Sequence, residues 1–361
     1  MHNLVFFLGT KAQYIKTIPV INAMDDQMFN IYLYNTCQHD DVTKQQIKSI
    51  SNKFTHIKLL KDQISAKNIY QILSWFIKAI AACLNKKVKL NKTDPSLCII
   101  HGNTLSTVIG VFWGKLNKIK ILHIEGGYRS FNWLKPFPEE LIRYWVSKSS
   151  DYVICFDGES EENLKAMKIK GEIIRISRNT IFDTIPQQLE VDKGNSKLVI
   201  SVHRNENVYS TKVLGDLVNL IIELRKNYFK NVIWYVHKHT KSNLIKKNLL
   251  NKLTANNILI KPLLEHNLFI KELHVANCVL TDGESVLEEC SIIGVPTYAL
   301  LNSLENESAN AKNILVSKYL HEENLSFFKN IENFRENKEN KEFSSPSVEI
   351  SEVISKIKLK F

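Results

Sequence analysis

The sequence predicts an α/β protein built from two doubly wound parallel-sheet domains with a cleft between them. Three observations predict it. Short apolar runs recur from one end to the other, separated by stretches long enough for crossover helices. The alternation breaks at residues 186–196, a polar passage containing Pro186 and Gly194, and then restarts. At 361 residues the chain also exceeds what one hydrophobic core usually serves.

In the first half, residues 4–8, 31–35, 97–100, 120–124 and 152–156 are strand-length apolar runs. Residues 69–84 are apolar, but the stretch is short for a bilayer and carries Gln71 and Lys78, so it reads as a buried helix. In the second half, residues 198–202, 232–236, 258–260, 279–281 and 296–300 are the candidate strands. Residues 330–342 are a charged tract. After it, Val348, Ile350, Val353, Ile354 and Ile357 recur at helical spacing, which suits a terminal helix packing back on the first domain. The expected boundaries are 1–183 for the first domain, 184–345 for the second and 346–361 for the helix.

Hydrophobic residues make up 44% and charged residues 24%, as in an ordinary globular protein. The amino terminus lacks the basic region and cleavage site of a secretory signal, so a cytoplasmic protein is expected. The six cysteines include no Cys-x-x-Cys pair and mostly sit in apolar runs. They read as reduced buried thiols, not as disulfides or metal ligands. The net charge of +11 is uneven: residues 1–180 hold 25 Lys+Arg against 15 Asp+Glu, whereas residues 181–361 hold 23 against 22. A basic first half suits an anionic membrane surface, a charged polymer or a phosphorylated ligand, and equally a set of solvated lysines. No nucleic-acid partner is expected, because the basic residues are not interleaved with aromatics in any binding motif.

Polar groups collect where the strands end, which is where open α/β sheets bind ligands. Gly9-Thr10-Lys11 follows the first strand, with Lys16 a turn later, and suits a phosphate; it does not match the dinucleotide fingerprint. In His101-Gly102-Asn103-Thr104, Asn103 or Thr104 could be a helix N-cap. The densest stretch holds Glu125, Arg129, Glu139, Glu140 and Arg143. Its carboxylates could exchange protons once burial and the arginines move their pKa values, or Glu139 and Glu140 could serve the first turn of a helix starting after Pro138. In the second half, His203 and Arg204 follow one strand and His237 the next, as suits a diphosphate better than a metal. Asp282-Gly283-Glu284-Ser285 opens a helix with an apparent capping box, Ser285 with Glu288, and its amino terminus is an anion site. Glu284 at its mouth would repel a diphosphate unless it pairs with a basic residue.

Taken in order, these motifs resemble the UDP-N-acetylglucosamine 2-epimerase family from about residue 4 to 304. Gly9-Thr10-Lys11 with Lys16 resembles GTR…K, Gln38-His39 the QH pair, and His101-Gly102-Asn103-Thr104 the HGDT element. His123 to Arg129 resembles HVEAGLR, and Pro136 to Glu140 with Arg143 resembles PxPEExxR. Asn179-Thr180 with Asp183 resembles NTVxD, His203 to Asn207 resembles HRREN, and Thr281 to Glu289 resembles TDSGGxQEE. The resemblance implies a GT-B fold in which the second domain holds most of the nucleotide and the sugar lies in the cleft. It implies loss of the sugar C2 proton, departure of UDP to a 2-acetamidoglucal, and reprotonation or hydration on the opposite face. Glu125, Glu139 and His203 are the implied catalytic set. Lys11, Lys16, Asn103, Arg129, Glu140, Arg143, Arg204, His237, Gly283, Ser285 and Glu289 are the implied substrate-binding set. No metal or redox cofactor is implied.

The chain departs from the family at Asn103, which stands where the family has an aspartate, and an amide cannot exchange a proton at neutral pH. Lys11 replaces an arginine, and Gly283-Glu284-Ser285 replaces SGG. Two expectations follow. One is an isomerase or hydrolase turning UDP-GlcNAc into a ManNAc product for surface polysaccharide. The other is a GT-B glycosyltransferase of capsule or O-antigen synthesis, with a glycan or lipid-linked acceptor and a basic face set peripherally on the inner membrane surface. A homodimer is compatible with either.

Overall fold

The computed structural model describes residues 2–38, 46–60, 69–84, 95–133, 138–186, 196–301, 311–317, 322–336 and 344–357. The chain divides into two compact units, residues 1–184 with 343–361, and residues 185–342. Each contains one all-parallel sheet.

The first unit alternates β1 (His2–Leu8), α1 (Lys11–Asn22), β2 (Phe29–Asn35), β3 (Phe54–Lys58), α2 (Ile69–Leu84), β4 (Ser96–His101), α3 (Leu105–Leu116), β5 (Lys120–Ile124), α4 (Glu139–Ser149), β6 (Tyr152–Cys155), α5 (Gly158–Ala166) and β7 (Glu172–Arg175), ending in a 3₁₀ turn, Thr180–Thr184. The strand order is β3-β2-β1-β4-β5-β6-β7. Helices cover both faces, so β1 reads as a continuous apolar run whose residues alternate between two cores. Leu4, Phe6 and Leu8 pack with Tyr14 and Ile18 of α1, while Val5 and Phe7 pack with Trp75 of α2 and Trp113 of α3.

The second unit runs β8 (Lys197–Ser201), α6 (Asn205–Val208), α7 (Thr211–Asn227), β9 (Asn231–Val236), α8 (Lys238–Lys246), α9 (Leu250–Ala255), β10 (Ile258–Pro262), α10 (His266–His274), β11 (Cys278–Thr281), α11 (Glu284–Ile293), β12 (Thr297–Ala299), β13 (Ile314–Val316) and α12 (Glu322–Lys329). Its order, β10-β9-β8-β11-β12-β13, repeats that of the first sheet. The chain then returns to the first unit as α13 (Pro346–Lys356). Ile350 and Ile354 join the core of β1 and α1. Ser347 N donates to Asp183 Oδ2 at 2.8 Å, and Ser177 N and Oγ donate to Glu349 at 3.0 and 2.6 Å.

The structure differs from the sequence expectation in three respects. α2 is not a buried helix. Trp75, Ala79 and Cys83 face the core, but Tyr70, Leu73 and Ile77 are exposed, because one stripe of the helix suffices to cover the sheet. Strands β3, β7 and β13 were not expected; all three are short edge strands with no fully enclosed residue, β3 interrupted and β7 bounded by polar residues and β13 only three residues long. The capping box at Ser285 is absent: α11 starts at Glu284 with Gly283 as its N-cap, and Ser285 lies exposed inside the helix. The six cysteines are free and buried. His39, Pro136, Phe137 and residues 187–195 lie outside the described residues.

Candidate active site

In each sheet the crossover direction reverses between the two central strands, β1 and β4 in the first unit and β8 and β11 in the second. Both groups of sequence-predicted residues stand at the carboxyl ends of strands at or beside these switch points, where diverging helices leave room for a ligand.

In the first unit, α1 begins with a capping box. Gly9 N and Thr10 N donate to Gln13 Oε1 at 3.0 and 3.2 Å, and Gln13 Nε2 donates onward to His101 O at 2.8 Å. Gln13 thereby ties the β1 turn to the β4 turn. Gly9 serves an internal close approach, since a Cβ there would lie 2.0 Å from Thr36 Oγ1 and 2.1 Å from Ser106 Oγ. Lys11 holds the first position of α1. Lys16, one turn on, is buried and reaches Glu125 Oε1 at 2.5 Å.

Glu125 sits immediately beyond β5 with φ of +69°, the left-handed region that a non-glycine side chain enters at a cost of about 1 kcal/mol. Its Oε1 also accepts from Asn179 Nδ2 at 2.8 Å, and its Oε2 lies 3.4 Å from His101 Nε2. Burial alone raises the carboxyl's pKa, but Lys16 and His101 outweigh burial and hold it well below the usual carboxylate range. Glu125 is therefore a fixed anion. His123, on the same strand, is fully enclosed and contacts Gly102 O and Ser147 Oγ; burial lowers its pKa to about 4, so it is neutral at physiological pH.

Glu139 and Glu140 open α4, where acids favour the helix dipole, yet their surroundings differ. Glu140 has no exposed surface. It accepts from Arg129 Nε at 2.5 Å and Ser130 N at 3.0 Å, with Arg143 Nη1 at 3.6 Å. Burial pushes its pKa up and these donors bring it below the ordinary value. Arg129 is itself enclosed, its guanidinium 5.2–5.3 Å from the rings of Phe131, Trp133 and Tyr144. Glu140 and Arg129, expected as substrate contacts, are paired with each other in the loop that opens α4. Glu139 is only partly buried, and its Oε2 has no hydrogen-bond partner among the described residues. Asn103 is not a helix cap; Thr104 is. With its amide oxygen turned to Arg143, Asn103 accepts from Nε at 2.8 Å and Nη2 at 3.2 Å.

In the second unit the organising acid is Asp282, fully enclosed just beyond β11. It accepts from His203 N, Arg204 N and Asn207 Nδ2 at 2.8–3.0 Å, and its Oδ1 lies 3.0 Å from His203 Nδ1. Burial raises its pKa, but His203 and these donors bring it below the ordinary value. The carboxylate thus fixes the turn after β8 and lies against Nδ1 of the His203 ring. The His203 ring stacks on His237 at 4.5 Å, and His239 bonds His203 O at 2.8 Å. Gly283 caps α11, whose first-turn amides lie beside this imidazole; Ser285 is among them. Glu284 lies 3.6 Å from Arg204 Nη2, which meets the condition set by its position at the helix mouth. Glu289 is nearly enclosed and bonds His266 Nε2 at 2.8 Å.

Sequence reasoning assigned no role to Gln13, His101, Asn179 or Asp282. His101, Asn179 and Asp282 stand within motifs already quoted, which was the available signal; Gln13, inside α1, had none.

Two Rossmann-like units with cations and imidazoles at their switch points place the protein in the GT-B fold class. The profile of the UDP-N-acetylglucosamine 2-epimerase family matches residues 22–346, and the chain belongs to that family. It is 29% identical to the UDP-N-acetylglucosamine 2-epimerase of Methanococcus maripaludis, covering 84% of each chain. Its fold matches the Methanocaldococcus jannaschii UDP-GlcNAc 2-epimerase in complex with UDP-GlcNAc and UDP, at TM-score 0.71 and 22% identity over 98% of this chain and 99% of that one. A crystal structure named as that of a UDP-N-acetylglucosamine 2-epimerase from Listeria monocytogenes matches at TM-score 0.76 and 18% identity, over 99% and 98%.

Proposed function

We propose that the protein converts UDP-GlcNAc by chemistry at C2, giving UDP-ManNAc or free ManNAc and UDP. The observation that carries this is Glu125, an anion locked at positive φ between Lys16, His101 and Asn179 beside the switch point of a family member. Its permanent negative charge would oppose the positive charge that develops on the sugar ring as UDP departs. Glu139, whose Oε2 is buried without a partner among the described residues, would exchange the C2 proton. Asn103 and Arg143 form a neutral-amide and guanidinium pair that can bind sugar hydroxyls but not move protons. His203, His237 and the α11 amides of the second unit would receive the diphosphate, with Arg204 balanced by Glu284, while Lys11 and Lys16 would add positive charge at the strand end of the first unit. Glu289, oriented by His266, would take the ribose hydroxyls.

The test incubates the purified protein with UDP-GlcNAc alone in D₂O and follows it by NMR. Deuterium at C2 or release of UDP supports the proposal; inert UDP-GlcNAc that turns over only when a glycan acceptor is added sinks it. The matched relatives carry epimerase names, which gives the glycosyltransferase alternative no support.

The same proposal places the protein in the cytoplasm, supplying surface-polysaccharide synthesis such as capsule or lipopolysaccharide, with the basic first half in peripheral contact with the membrane. Among the described residues no helix is long and apolar enough to cross a membrane. A homodimer is its assembly, supported by the exposed Tyr70, Leu73 and Ile77 on α2. Light scattering and vesicle sedimentation test these two points.

A further inference from the structure

Glu125 is held asymmetrically. Its Oε1 takes two donors, Lys16 Nζ at 2.5 Å and Asn179 Nδ2 at 2.8 Å, whereas Oε2 has His101 Nε2 at 3.4 Å, slack for a hydrogen bond. Oε2 also faces Gly102, where an added Cβ would lie 3.3 Å away, tighter than an ordinary contact, so the glycine keeps that position from crowding the oxygen.

Asn179 is nearly enclosed, at 6% exposure, and its amide cannot be reversed. Its Oδ1 accepts from Ile181 N at 3.0 Å, which obliges the NH₂ group to face Glu125. The residue stands on a firm mount: it opens the 3₁₀ turn Thr180–Thr184, whose Asp183 accepts from Ser347 of α13, while neighbouring Ser177 is bound to Glu349 of the same helix. Lys16 already supplies the charge that Glu125 needs. A second, neutral donor on the same oxygen adds direction, since a carboxylate with one point-charge partner can still rotate, and one with two fixed donors cannot.

We propose that Asn179 is a positioning residue that locks Glu125 by its Oε1 and assigns the working face of that carboxylate to Oε2. The inference rests on the reading that Glu125 acts in nucleotide-sugar turnover, and it names a residue that acts through Glu125 without touching substrate. Among the described residues the charged and titratable groups facing Glu125 are Lys16 from α1, His101 from β4 and His123 from β5, and replacing Asn179 by Ala leaves all three in place.

The test uses the full chain and two variants, Asn179→Ala and Asn179→Asp. Carboxyl ¹³C NMR, with the Glu125 signal assigned by its loss in Glu125→Gln, reads the Glu125 titration without any substrate. Loss of the donor in Asn179→Ala raises the Glu125 midpoint by about one pH unit, and the added carboxylate in Asn179→Asp raises it further. In the UDP-GlcNAc assay, kcat of Asn179→Ala falls roughly 10–100-fold with KM nearly unchanged. A Glu125 midpoint equal to that of the parent protein in both variants overturns the proposal, as does parental kcat. A lower melting temperature with an unmoved midpoint shows a merely structural asparagine and overturns it equally. If the parent protein fails to turn over UDP-GlcNAc, the functional reading falls while the midpoint comparison still decides the positioning.

Discussion

The two units share a strand order but use their acids in opposite ways. In the first, Glu125 stands beside the switch point with its charge held by Lys16 and His101, and Glu139 has an oxygen with no partner among the described residues. In the second, Asp282 is fully enclosed and spent on backbone amides, so that the groups left for a ligand are His203, His237 and the amides of α11. One unit presents negative charge and the other presents donors. A sheet of this topology fixes where a ligand binds, and the strand-end residues decide which charge it meets.

The largest effect is expected where this contrast is chemical. Glu139→Gln keeps shape and removes the exchangeable proton, so turnover of UDP-GlcNAc should fall about 10²–10⁴-fold while UDP affinity, which the second unit supplies, stays at the parental value. Calorimetry with UDP alongside the NMR assay checks both halves. Near-normal turnover would remove Glu139 from the mechanism and place the proton transfer elsewhere.

The next effect separates the two kinds of bracing. Arg129→Ala strands the enclosed Glu140 carboxylate, and Asp282→Ala strands the amides of His203 and Arg204. Each should lower the unfolding free energy by about 3–5 kcal/mol, measured by urea denaturation. Only Asp282→Ala should also weaken UDP binding, because only that acid shapes the turn that carries His203. Equal losses of UDP affinity in both variants would erase the distinction between the units.

Acid should destabilise both units. Glu140 and Asp282 have folded pKa values below their ordinary ones, so their contribution is present above the unfolded carboxylate pKa and is lost as pH falls through the folded one. His123 acts in the same direction for another reason. Burial keeps its ring neutral down to about 4, while the unfolded chain takes up that proton near its ordinary 6.5. Between those values the unfolded state binds more protons, and stability falls as pH drops, by at most about 1.4 kcal/mol per unit. Denaturation at pH 7, 5.5 and 4.5 should show this decline, and His123→Gln should flatten it. An unflattened profile in the variant would show that His123 is charged in the fold.

Much of this was legible in the sequence, for a physical reason. Central parallel strands are enclosed on both faces, so β1, β4, β5, β8, β9 and β11 are apolar runs that need no partner to be recognised. The edge strands β3, β7 and β13 are part exposed and alternate weakly, and their pairing is decided by neighbours distant in sequence. The site followed the same rule. Glu125, Glu139 and His203 stood out because charges at the end of an apolar run have no structural excuse. Asp282 and Asn179 did not, because an enclosed acid or amide reveals its role only through the partners that the fold brings to it from 75 or 54 positions away. The capping box at Ser285 failed for the converse reason: the local pattern was present, but the helix takes Gly283 as its N-cap, two positions before Ser285.

The smallest effect lies at Glu284, the one acid at the mouth of the donor-bearing unit. It lies 3.6 Å from Arg204 with both side chains part exposed, a geometry worth at most about 1 kcal/mol and weakened by salt. A carboxylate on the first turn of α11 favours the helix itself but opposes an incoming diphosphate at the same amides. Glu284→Gln removes the repulsion and frees Arg204 for the ligand, so UDP affinity should rise roughly two- to fivefold at low salt and by less at 0.5 M, at little cost to stability. Weaker UDP binding in this variant would mean that Glu284 works by holding Arg204 in place, and would bring the second unit closer to the first, where an acid is kept for the sake of the cation beside it.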